Sequence, residues 1–434
     1  MRPGRLLVVL ALVWTALGLA ASFLEALQAP WAFAGAVFGL LAVVDAAAVW
    51  REPRLRIERQ VPGNLPVGSP STVTLTVHND GARSYRLALF DHHPPFTEAE
   101  PLPQELRVAP GQRARLSYRL TPQRRGDADF GATEVRLRSR LNLWRRHRRL
   151  GSPGRVKVYP NFARISNYML LATDNRLSLL GVRKRQRRGE GLDFHQLREY
   201  RDGDALTRID WKATSRYRKL ISREYQDERD QQVVFLLDCG RRMRAEDFGT
   251  SHFDESLNAM LLLGYVALHQ GDAVGFLTLG GVRRWVPPRK GPAALNLLLN
   301  RTYDLQPTSE ATDYVAAAQD LLIHQRRRAL VVLLTNTRDE DQPELASAAR
   351  LLRQKHLVLL ANLREGFFDT ALQATVERFE EALRHVATVD FLARRERAHH
   401  ALARVGVMTL DVTAPELPLA VVNRYLDIKR AGRL

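Results

Sequence analysis

Two long apolar segments begin the chain, and their pattern predicts membrane-spanning helices. Leu6–Leu24 holds 19 residues without a charge, and Trp31–Trp50 is a second apolar run with a Trp at each end. At about 1.5 Å per residue, a helix of this length crosses roughly 30 Å of hydrocarbon. Because only Glu25–Pro30 separates the two runs, we expect residues 1–52 to form a transmembrane helical hairpin.

Short runs in which apolar and polar residues alternate make up residues 53–158. Turns that contain Pro, Gly or Asn separate them at intervals of about 8–12 residues, a spacing typical of an antiparallel β-sandwich. The expected strands are Leu55–Val61, Thr72–Asn79, Tyr85–Phe90, Ala114–Leu120 and Thr133–Arg140.

Strand-like and helix-like patterns alternate in residues 232–434, after a connecting segment over residues 159–231. This alternation predicts a doubly wound α/β domain with a parallel sheet, whose functional loops lie at the carboxyl ends of the strands. The expected strands are Val233–Leu237, Val274–Leu279, Ala329–Thr335, Leu357–Ala361 and Val407–Val412. The expected helices lie near Asp254–His269, Ala293–Tyr303, Tyr314–His324, Pro343–Lys355, Ala371–Arg384, Phe391–Val405 and Pro418–Arg430.

The charge distribution predicts the orientation of the hairpin and the nature of its surroundings. Arg2 and Arg5 precede the hairpin, Arg51, Arg54 and Arg56 follow it, and its connector has no Lys or Arg. By the positive-inside rule, both ends and the domains beyond them face the cytoplasm. We expect the hairpin to lie in the cell (inner) membrane. The formal charge of +18 favours acidic surroundings: anionic lipid, nucleic acid or an acidic protein.

Individual residues in the apolar and basic segments allow more than one interpretation. Asp45 could mediate a helix–helix contact or carry a proton, but its place near the end of the second run favours a near-interface carboxyl that is neutralised or reaches head-group water. The clusters Arg145–Arg149 and Arg183–Arg188 could bind phospholipid or nucleic acid. A lipid-facing or simply solvated role is favoured, because the chain is expected to be anchored in a membrane and no aromatic stacking platform or Gly-rich phosphate loop accompanies the basic run.

A dense mixture of acidic, basic and aromatic residues lies between the two soluble regions. Its charges suit a loop in which Arg side chains pair with carboxylates, while Ile209 and Trp211 are poor choices for free solvent. We predict a fixed network, with Arg201 and Arg208 facing Asp204 and Asp210 and with Trp211 as a buried plug. The residues of this hallmark network are Arg198, Glu199, Tyr200, Gly203, Asp204, Arg208, Asp210, Trp211 and Arg216.

The same region resembles a known family over LREYRDGDALTRIDWKATSR, SREYQDE and VVFLLDCGRRM. With these stretches the chain resembles the bacterial family catalogued as domain of unknown function 58. The resemblance implies a membrane tether, a β-domain before the hallmark, and a von Willebrand factor A-like α/β domain after it. It also implies a partnership with MoxR-type AAA+ ATPases, which are often encoded beside members of the family.

The resemblance further implies where a metal site would lie. A metal-ion-dependent adhesion site uses D-x-S-x-S after the first strand, a Thr from a second loop and an Asp from a third, and such oxygen ligands suit Mg²⁺. Asp238 is retained here, but Gly240 and Arg242 stand in place of the two Ser residues. Thr312 matches the second loop, and Asn336 replaces the third-loop Asp. We therefore expect a degenerate site without Mg²⁺ or another cofactor, in which Arg242 pairs with Asp238.

No sequence motif of a known catalytic class is present. The chain has no G-x-S-x-G elbow, P-loop or HExxH, and its one thiol, Cys239, has the pattern of a packing residue. We therefore expect a non-catalytic, membrane-tethered scaffold that binds lipid, a MoxR-type ATPase and other proteins of the same assembly. The alternative is a protein that binds polyanion or nucleic acid at the membrane surface.

Overall fold

The apolar N-terminal segments form two helices that contact each other. The computed structural model describes residues 1–23, 25–50, 54–160, 193–201, 204, 206–226, 231–247 and 249–434. Helix α1 spans Arg5–Ala21 and α2 spans Gln28–Trp50. The rings of Trp14 and Trp31 stack with their centroids 4.8 Å apart, and each indole N–H points at the backbone carbonyl of the other residue. This reciprocal Trp pair holds the two helices together.

Only one of the two helices is long enough to cross a membrane by the usual measure. Within α2, Gln28–Ala48 has a mean hydropathy of 1.8 over 21 residues, whereas the apolar helix α1 covers 17 residues. Among the described residues, one helix therefore has both the length and the composition of a membrane span.

A β-domain follows within residues 1–159, which form one of two compact units. Its strands are β1 (Arg2–Pro3), β2 (Leu55–Gln60), β3 (Asn64–Pro66), β4 (Ser71–Asn79), β5 (Tyr85–Phe90), β6 (Thr97–Glu100), β7 (Gln104–Val108), β8 (Arg113–Pro122), β9 (Gly126–Phe130), β10 (Thr133–Arg138), β11 (Trp144–Leu150) and β12 (Gly154–Tyr159). They form sheets in the orders β1-β11-β10-β5-β7, β2-β4-β8-β6 and β3-β12-β9. Alternate residues of all three sheets meet in one apolar core.

One polar cluster is built into that core. Asp91 is fully buried and accepts hydrogen bonds from Arg59, from the Tyr118 hydroxyl at 2.7 Å and from the Thr133 hydroxyl at 3.0 Å. Burial raises the pKa of Tyr118, and the neighbouring carboxylate raises it further. The phenol therefore stays protonated and remains a donor, which ties three strands to the Asp91 loop.

The end of α2 is fixed to the β-domain and does not stand free in solvent. Asp45 is only 3% exposed and accepts a hydrogen bond from the backbone N–H of Leu141 at 3.1 Å. The Trp144 indole donates to the Ala42 carbonyl at 2.8 Å, and Arg146 donates to the Trp50 carbonyl at 2.7 Å. The expectation that the Asp45 carboxylate reaches head-group water is therefore wrong, because a protein loop covers it.

Residues 160–434 form the second compact unit, which contains an α/β domain. After β13 (Asp193–Glu199) and β14 (Ile221–Gln226), its strands are β15 (Gln232–Asp238), β16 (Glu246–Asp247), β17 (Thr250–Ser251), β18 (Ala273–Leu279), β19 (Trp285–Arg289), β20 (Leu330–Thr335), β21 (Leu357–Arg364) and β22 (Met408–Thr413). Its helices are α3 (Trp211–Tyr217), α4 (His252–His269), α5 (Pro292–Asn300), α6 (Tyr314–His324), α7 (Gln342–Arg353), α8 (Phe367–Gln373), α9 (Phe379–Arg404) and α10 (Leu417–Arg430).

The six-stranded sheet of this domain has the order β19-β18-β15-β20-β21-β22. All neighbouring strands are parallel except β18 and β19, which pair antiparallel. Apolar clusters cover both faces of the sheet, so the central strands are buried on both sides. The predicted alternation of strands and helices is confirmed as a parallel α/β sheet.

Two elements of this domain differ from the expectation. The predicted helices Ala371–Arg384 and Phe391–Val405 are wrong as separate elements, because α8 ends at Gln373 and α9 runs unbroken from Phe379 to Arg404. No Gly or Pro interrupts α9, and packing of its inner side overrides the weak helix propensity of its Thr and Val residues.

A buried histidine predicts acid sensitivity of this domain. His356 precedes β21, is 4% exposed, and has no hydrogen-bond partner for either ring nitrogen in the described part of the chain. Burial lowers its pKa from 6.5 to about 4. Below about pH 6.5 the unfolded chain binds a proton at His356, whereas the folded chain binds it only near pH 4. The free energy of unfolding therefore decreases as the pH falls from about 6.5 towards 4.

We expect the loss through His356 to reach at most about 3 kcal/mol across that range. Urea unfolding of the wild type and of His356→Leu between these pH values measures it, and the variant should show the shallower pH dependence. The exposed His400 on α9 serves as the control position for the His-to-Leu substitution. Equal slopes for wild type and His356→Leu would contradict the prediction.

Candidate functional site

The carboxyl edge of the parallel sheet places a buried carboxylate among hydroxyl groups. Asp238 is the last residue of β15 and is 1% exposed. One oxygen, Oδ1, accepts hydrogen bonds from the Thr312 hydroxyl at 2.6 Å and from the Gly240 N–H at 2.8 Å. The other, Oδ2, accepts from the Thr335 hydroxyl at 2.6 Å and lies 3.4 Å from the Tyr314 hydroxyl. The protein's own donors thus occupy both oxygens.

Gly240 is required by this arrangement. A Cβ atom at position 240 would overlap Thr312 Oγ1 and would come within 3.0 Å of Asp238 Oδ1. A Ser at this position, as an adhesion-type metal site demands, cannot be built without moving the Thr312 hydroxyl. The close approach of Thr312 to Asp238 therefore leaves no room for a Ser side chain at position 240.

The protonation of this cluster follows from its burial. Burial raises the pKa of the Asp238 carboxyl, while the hydrogen bonds from Thr312, Thr335 and Gly240 act in the opposite direction. Burial also raises the pKa of Tyr314, and the nearby Asp238 adds to that effect. Tyr314 stays a neutral hydroxyl, which makes it a donor to the cluster and not a nucleophile.

Two of the predicted site residues point elsewhere. Arg242 forms ion pairs with Asp341 and Glu340, so the expectation that it pairs with Asp238 is wrong. The short helical turn of residues 241–244 directs the guanidinium towards the loop after β20. That loop supplies two carboxylates at its surface, where an ion pair avoids the desolvation cost of reaching the buried Asp238.

Asn336 belongs to a separate cluster. Its Nδ2 lies 3.3 Å from Nδ1 of the fully buried His252 and 3.2 Å from Glu365, while its Oδ1 is buried without a partner in the described part of the chain. The other His252 nitrogen lies 2.8 Å from Asp247. Asn336 therefore fixes a histidine, and it contributes no contact to Asp238 among those that the structure describes.

The sequence reasoning missed two members of the Asp238 cluster. Thr335 ends β20 and Tyr314 begins α6, and their hydroxyls lie 2.9 Å apart. Each lies within two residues of a predicted site residue, Asn336 or Thr312. Proximity in sequence was the available signal, because both hydroxyl residues occur where a strand or helix meets the carboxyl edge.

We predict that this edge binds no divalent cation with useful affinity. Among the described residues, no group of three or more His, Cys, Asp or Glu is placed to hold a metal ion. A cation at Asp238 would have to displace the donors that already occupy its oxygens. Calorimetry of the full-length protein in detergent with Mg²⁺ or Mn²⁺ should give no saturable heat. Saturable binding that Asp238→Ala abolishes would contradict the prediction.

The hallmark residues form a network on a β-hairpin. Strands β13 and β14 pair antiparallel, and the connection between them carries α3. Arg198 makes two hydrogen bonds with Asp204, at 2.8 and 2.9 Å, and the Tyr200 hydroxyl donates to the Asp204 carbonyl at 3.2 Å. Hydrogen bonds from Arg198 and from the Arg201 backbone lower the pKa of Asp204. This carboxylate therefore organises the first half of the connection.

A second carboxylate organises the other half. Asp210 caps α3 by accepting from the Ala213 N–H at 3.0 Å, and it pairs with Arg223 at 2.8 Å. These contacts lower the pKa of Asp210, the backbone hydrogen bond most strongly. Arg198 and Arg223 thus make the side-chain hydrogen bonds to the two carboxylates. Arg201 contacts Asp204 through its backbone, and the Arg208 side chain lies outside the described residues.

The remaining hallmark residues have peripheral contacts. Glu199 accepts from Lys219 at 2.8 Å, and the Arg216 guanidinium lies 5.9 Å from the Tyr217 ring centroid. Gly203 lies outside the residues that the structure describes.

Trp211 is not the buried plug of this hairpin. It begins α3 and is 68% exposed, whereas Ile209 is 7% exposed and forms a β-bridge with Ser222. The predicted burial of Trp211 is therefore wrong, because the N-terminal position on a short helix turns its side chain outward. We expect Trp211→Ala to cost less than about 1 kcal/mol, and Ile209→Ala about 2–4 kcal/mol. Thermal unfolding of both variants measures this, and equal losses would contradict the assignment.

An exposed apolar face lies on α9. Phe379, Leu383 and Val386 lie on one side of the helix and are 77%, 55% and 65% exposed. The opposite side packs inward and carries the buried polar residues Thr388 and Arg395. In the first half of α9 these three apolar side chains therefore face solvent beside exposed charged residues such as Glu380 and Arg384.

The inner side of α9 is held by specific hydrogen bonds. Arg395 pairs with Asp411 and donates to the backbone carbonyls of Thr337 at 2.8 Å and Leu363 at 2.6 Å. His399, whose pKa burial lowers, lies 2.9 Å from the Asn362 amide. These contacts attach α9 to the carboxyl ends of β20 and β21. The orientation of its apolar face is therefore fixed.

Part of this chain is similar in sequence to a described family and to a bacterial protein. Residues 196–405 match the model of a family described as protein of unknown function DUF58. The uncharacterized protein YeaD of Bacillus subtilis (strain 168) is 22% identical over 265 residues. That match covers 61% of this chain and 63% of the relative, which is less than two thirds of its length.

Similarity to solved structures is weak. A FixG-related protein from Vibrio parahaemolyticus has a TM-score of 0.18 at 14% identity and covers 25% of this chain and 97% of its own. The CARDB domain of the PF1109 protein from Pyrococcus furiosus has a TM-score of 0.17 at 18% identity, with coverages of 25% and 90%. Scores this low say nothing about the fold of this chain. The sequence match spans the hallmark hairpin and the Asp238 edge, and through it residues 196–405 are identified as a region of the family of proteins of unknown function DUF58.

Proposed function

We propose that the chain is a membrane-tethered interaction scaffold that works in the cytoplasm with a MoxR-type AAA+ ATPase in the assembly or maturation of other proteins. The exposed apolar face of α9, formed by Phe379, Leu383 and Val386, carries the proposal. A rigidly held helix that turns large apolar side chains to solvent is typical of a protein-binding surface.

The charges around this face indicate the character of the partner. Residues 365–390 contain six acidic residues and two arginines, in a chain whose formal charge is +18. The partner surface proposed here is therefore apolar at its centre and basic at its rim. An acidic lipid surface fits less well, because Glu377, Glu380 and Asp390 would meet like charge.

The Asp238 edge supports a non-catalytic role for the domain. Its carboxylate is saturated by Thr312, Thr335 and the Gly240 N–H, and the acidic and hydroxyl groups point at one another. A hydrolytic or metal-dependent site needs at least one such group directed at a substrate or an ion. In our proposal the domain is a von Willebrand factor A-like module whose adhesion-type metal site has been replaced by an internal hydrogen-bond cluster.

The N-terminal helices serve as the membrane tether in this proposal. Strand β1 precedes α1 and pairs with β11, and the end of α2 contacts the same strand through Trp144 and Arg146. Both helix ends that carry the Arg residues therefore lie at the β-domain. This arrangement supports a two-helix hairpin in the inner membrane with the β-domain on its cytoplasmic side.

The test of the scaffold is capture of a purified MoxR-type ATPase by the full-length protein in detergent. Leu383→Glu and Phe379→Glu should each reduce capture at least tenfold, since a buried interfacial anchor is worth about 1–2 kcal/mol or more. The matched control is Ile323→Glu, which places the same charge on an exposed apolar residue of α6. Equal capture by Leu383→Glu and Ile323→Glu would overturn α9 as the docking face.

A further inference from the structure

The β10–β11 turn lies beside a part of α2 that should be at membrane depth. The turn, Ser139–Trp144, contacts α2 at Ala42 and Asp45. Residues 28–41 precede that contact and span about 21 Å as a helix, whereas the hydrocarbon core is roughly 30 Å thick. A helix that enters the bilayer at Gln28 therefore reaches the turn before it leaves the opposite boundary.

The backbone of the turn is equipped for such a place. The Ser139 N–H donates to the Trp144 carbonyl at 3.0 Å, and the Leu141 N–H donates to Asp45. The Leu143 carbonyl accepts from the Gly4 N–H at 2.6 Å. Irregular backbone is tolerated at membrane depth only where protein groups satisfy it, and here the partners are Trp144 of β11, Asp45 of α2 and Gly4, which precedes α1.

The side chains of the turn divide into apolar and cationic groups. Leu141 is 47% exposed at the tip. Arg140 is exposed beside it. Arg145 lies opposite Arg2 in the register of β1 and β11, and its Nε is buried without a hydrogen-bond partner among the described residues. An exposed apolar tip flanked by guanidinium groups suits the boundary between acyl chains and phosphate head groups.

We propose that the β10–β11 turn is a membrane-contact element, in which Leu141 enters the acyl boundary and Arg140 and Arg145 bind the phosphates of acidic phospholipids. The inference rests on the membrane tether proposed above. It adds that the β10–β11 turn also holds the β-domain against the bilayer, so the two helices are not its sole attachment.

The experiment places an environment-sensitive fluorophore on Leu141→Cys in the full-length chain. The native Cys239 is 1% exposed, so the unmutated chain measures background labelling. Ser152→Cys is the matched control, because it is exposed and lies past the opposite end of β11. Each labelled chain is reconstituted into phosphatidylcholine vesicles with and without phosphatidylglycerol, and nitroxide-labelled lipid is used as the quencher.

We expect nitroxide lipid to quench the label at position 141 several-fold more strongly than the label at position 152. Phosphatidylglycerol should increase the quenching at 141, and Arg140→Gln with Arg145→Gln should remove that increase. A chain that floats with the vesicles but shows equal quenching at both positions overturns the contact element and leaves the tether standing. A chain that does not float overturns the tether, and the contact element with it. Strong quenching that neither lipid charge nor the Arg substitutions change overturns the phosphate contacts.

Discussion

Replacement of Asp238 by alanine is expected to destabilise the α/β domain by about 3–5 kcal/mol. The change leaves the hydroxyls of Thr312 and Thr335 and the N–H of Gly240 without their acceptor in a buried site. Asp238→Asn is the matched variant, because it retains one oxygen for two of these donors and removes the buried charge. We expect it to stay within about 1 kcal/mol of the wild type near neutral pH.

The two Asp238 variants also differ from the wild type in their pH dependence. Burial raises the folded-state pKa of Asp238 above its unfolded value of about 3.9. The folded protein therefore holds the proton more tightly, and stability from this group is lost as the pH rises from the unfolded pKa through the folded one. Urea unfolding should show this loss in the wild type and not in Asp238→Asn. A milder effect of Asp238→Ala than of Asp238→Asn would contradict the hydrogen-bond cluster.

Replacement of Arg395 by alanine is expected to lower the free energy of unfolding by about 3–5 kcal/mol. The change leaves a carboxylate and two backbone carbonyls without the hydrogen bonds that the guanidinium donates. Asp411, Thr337 and Leu363 supply those acceptors, and Arg395 is only 4% exposed. The loss should appear in chemical unfolding of the full-length protein. Since Arg395 fixes α9, partner capture through Leu383 should weaken with it.

A nearby arginine provides the control for Arg395. Arg397 is exposed on the same helix and donates to a carbonyl within that helix. We expect Arg397→Ala to change stability by no more than about 0.5 kcal/mol. If the two alanine variants unfold at the same denaturant concentration, α9 is not held by Arg395.

The parallel strands were predictable because a strand that is buried on both faces has a nearly continuous apolar sequence. β15, β18 and β20 are mainly apolar, and the three strands expected there begin and end within a residue or two of the observed ones. The strands that the pattern missed lack a continuous apolar sequence. β11 reads WRRHRRL, and β19 reads WVPPR and occupies the sheet edge, where Pro is tolerated.

The candidate site was predictable in position but not in its contacts. The place of Asp238 follows from the end of a buried strand, and Thr312 was expected near it. The pairing of Arg242 depended on a helical turn that directs its side chain to Asp341, about a hundred positions away in sequence. Trp211 was assigned to the interior from its chemistry alone, whereas the cap at Asp210 determines which way α3 presents it.

The pairing of β1 with β11 imposes an order on biosynthesis. Arg2 pairs with Arg145, and Pro3 pairs with Trp144, so the second strand of this pair is translated long after the first. At about 5–20 residues per second, the ribosome needs roughly 7–30 s to synthesise the intervening chain. Once residue 50 has been made, α1 and α2 exist for the rest of that interval without the strand β11 that later contacts their ends. The two helices are therefore complete before β11 is synthesised, and the pairing of β11 with β1 joins the β-domain to a segment that has already been made.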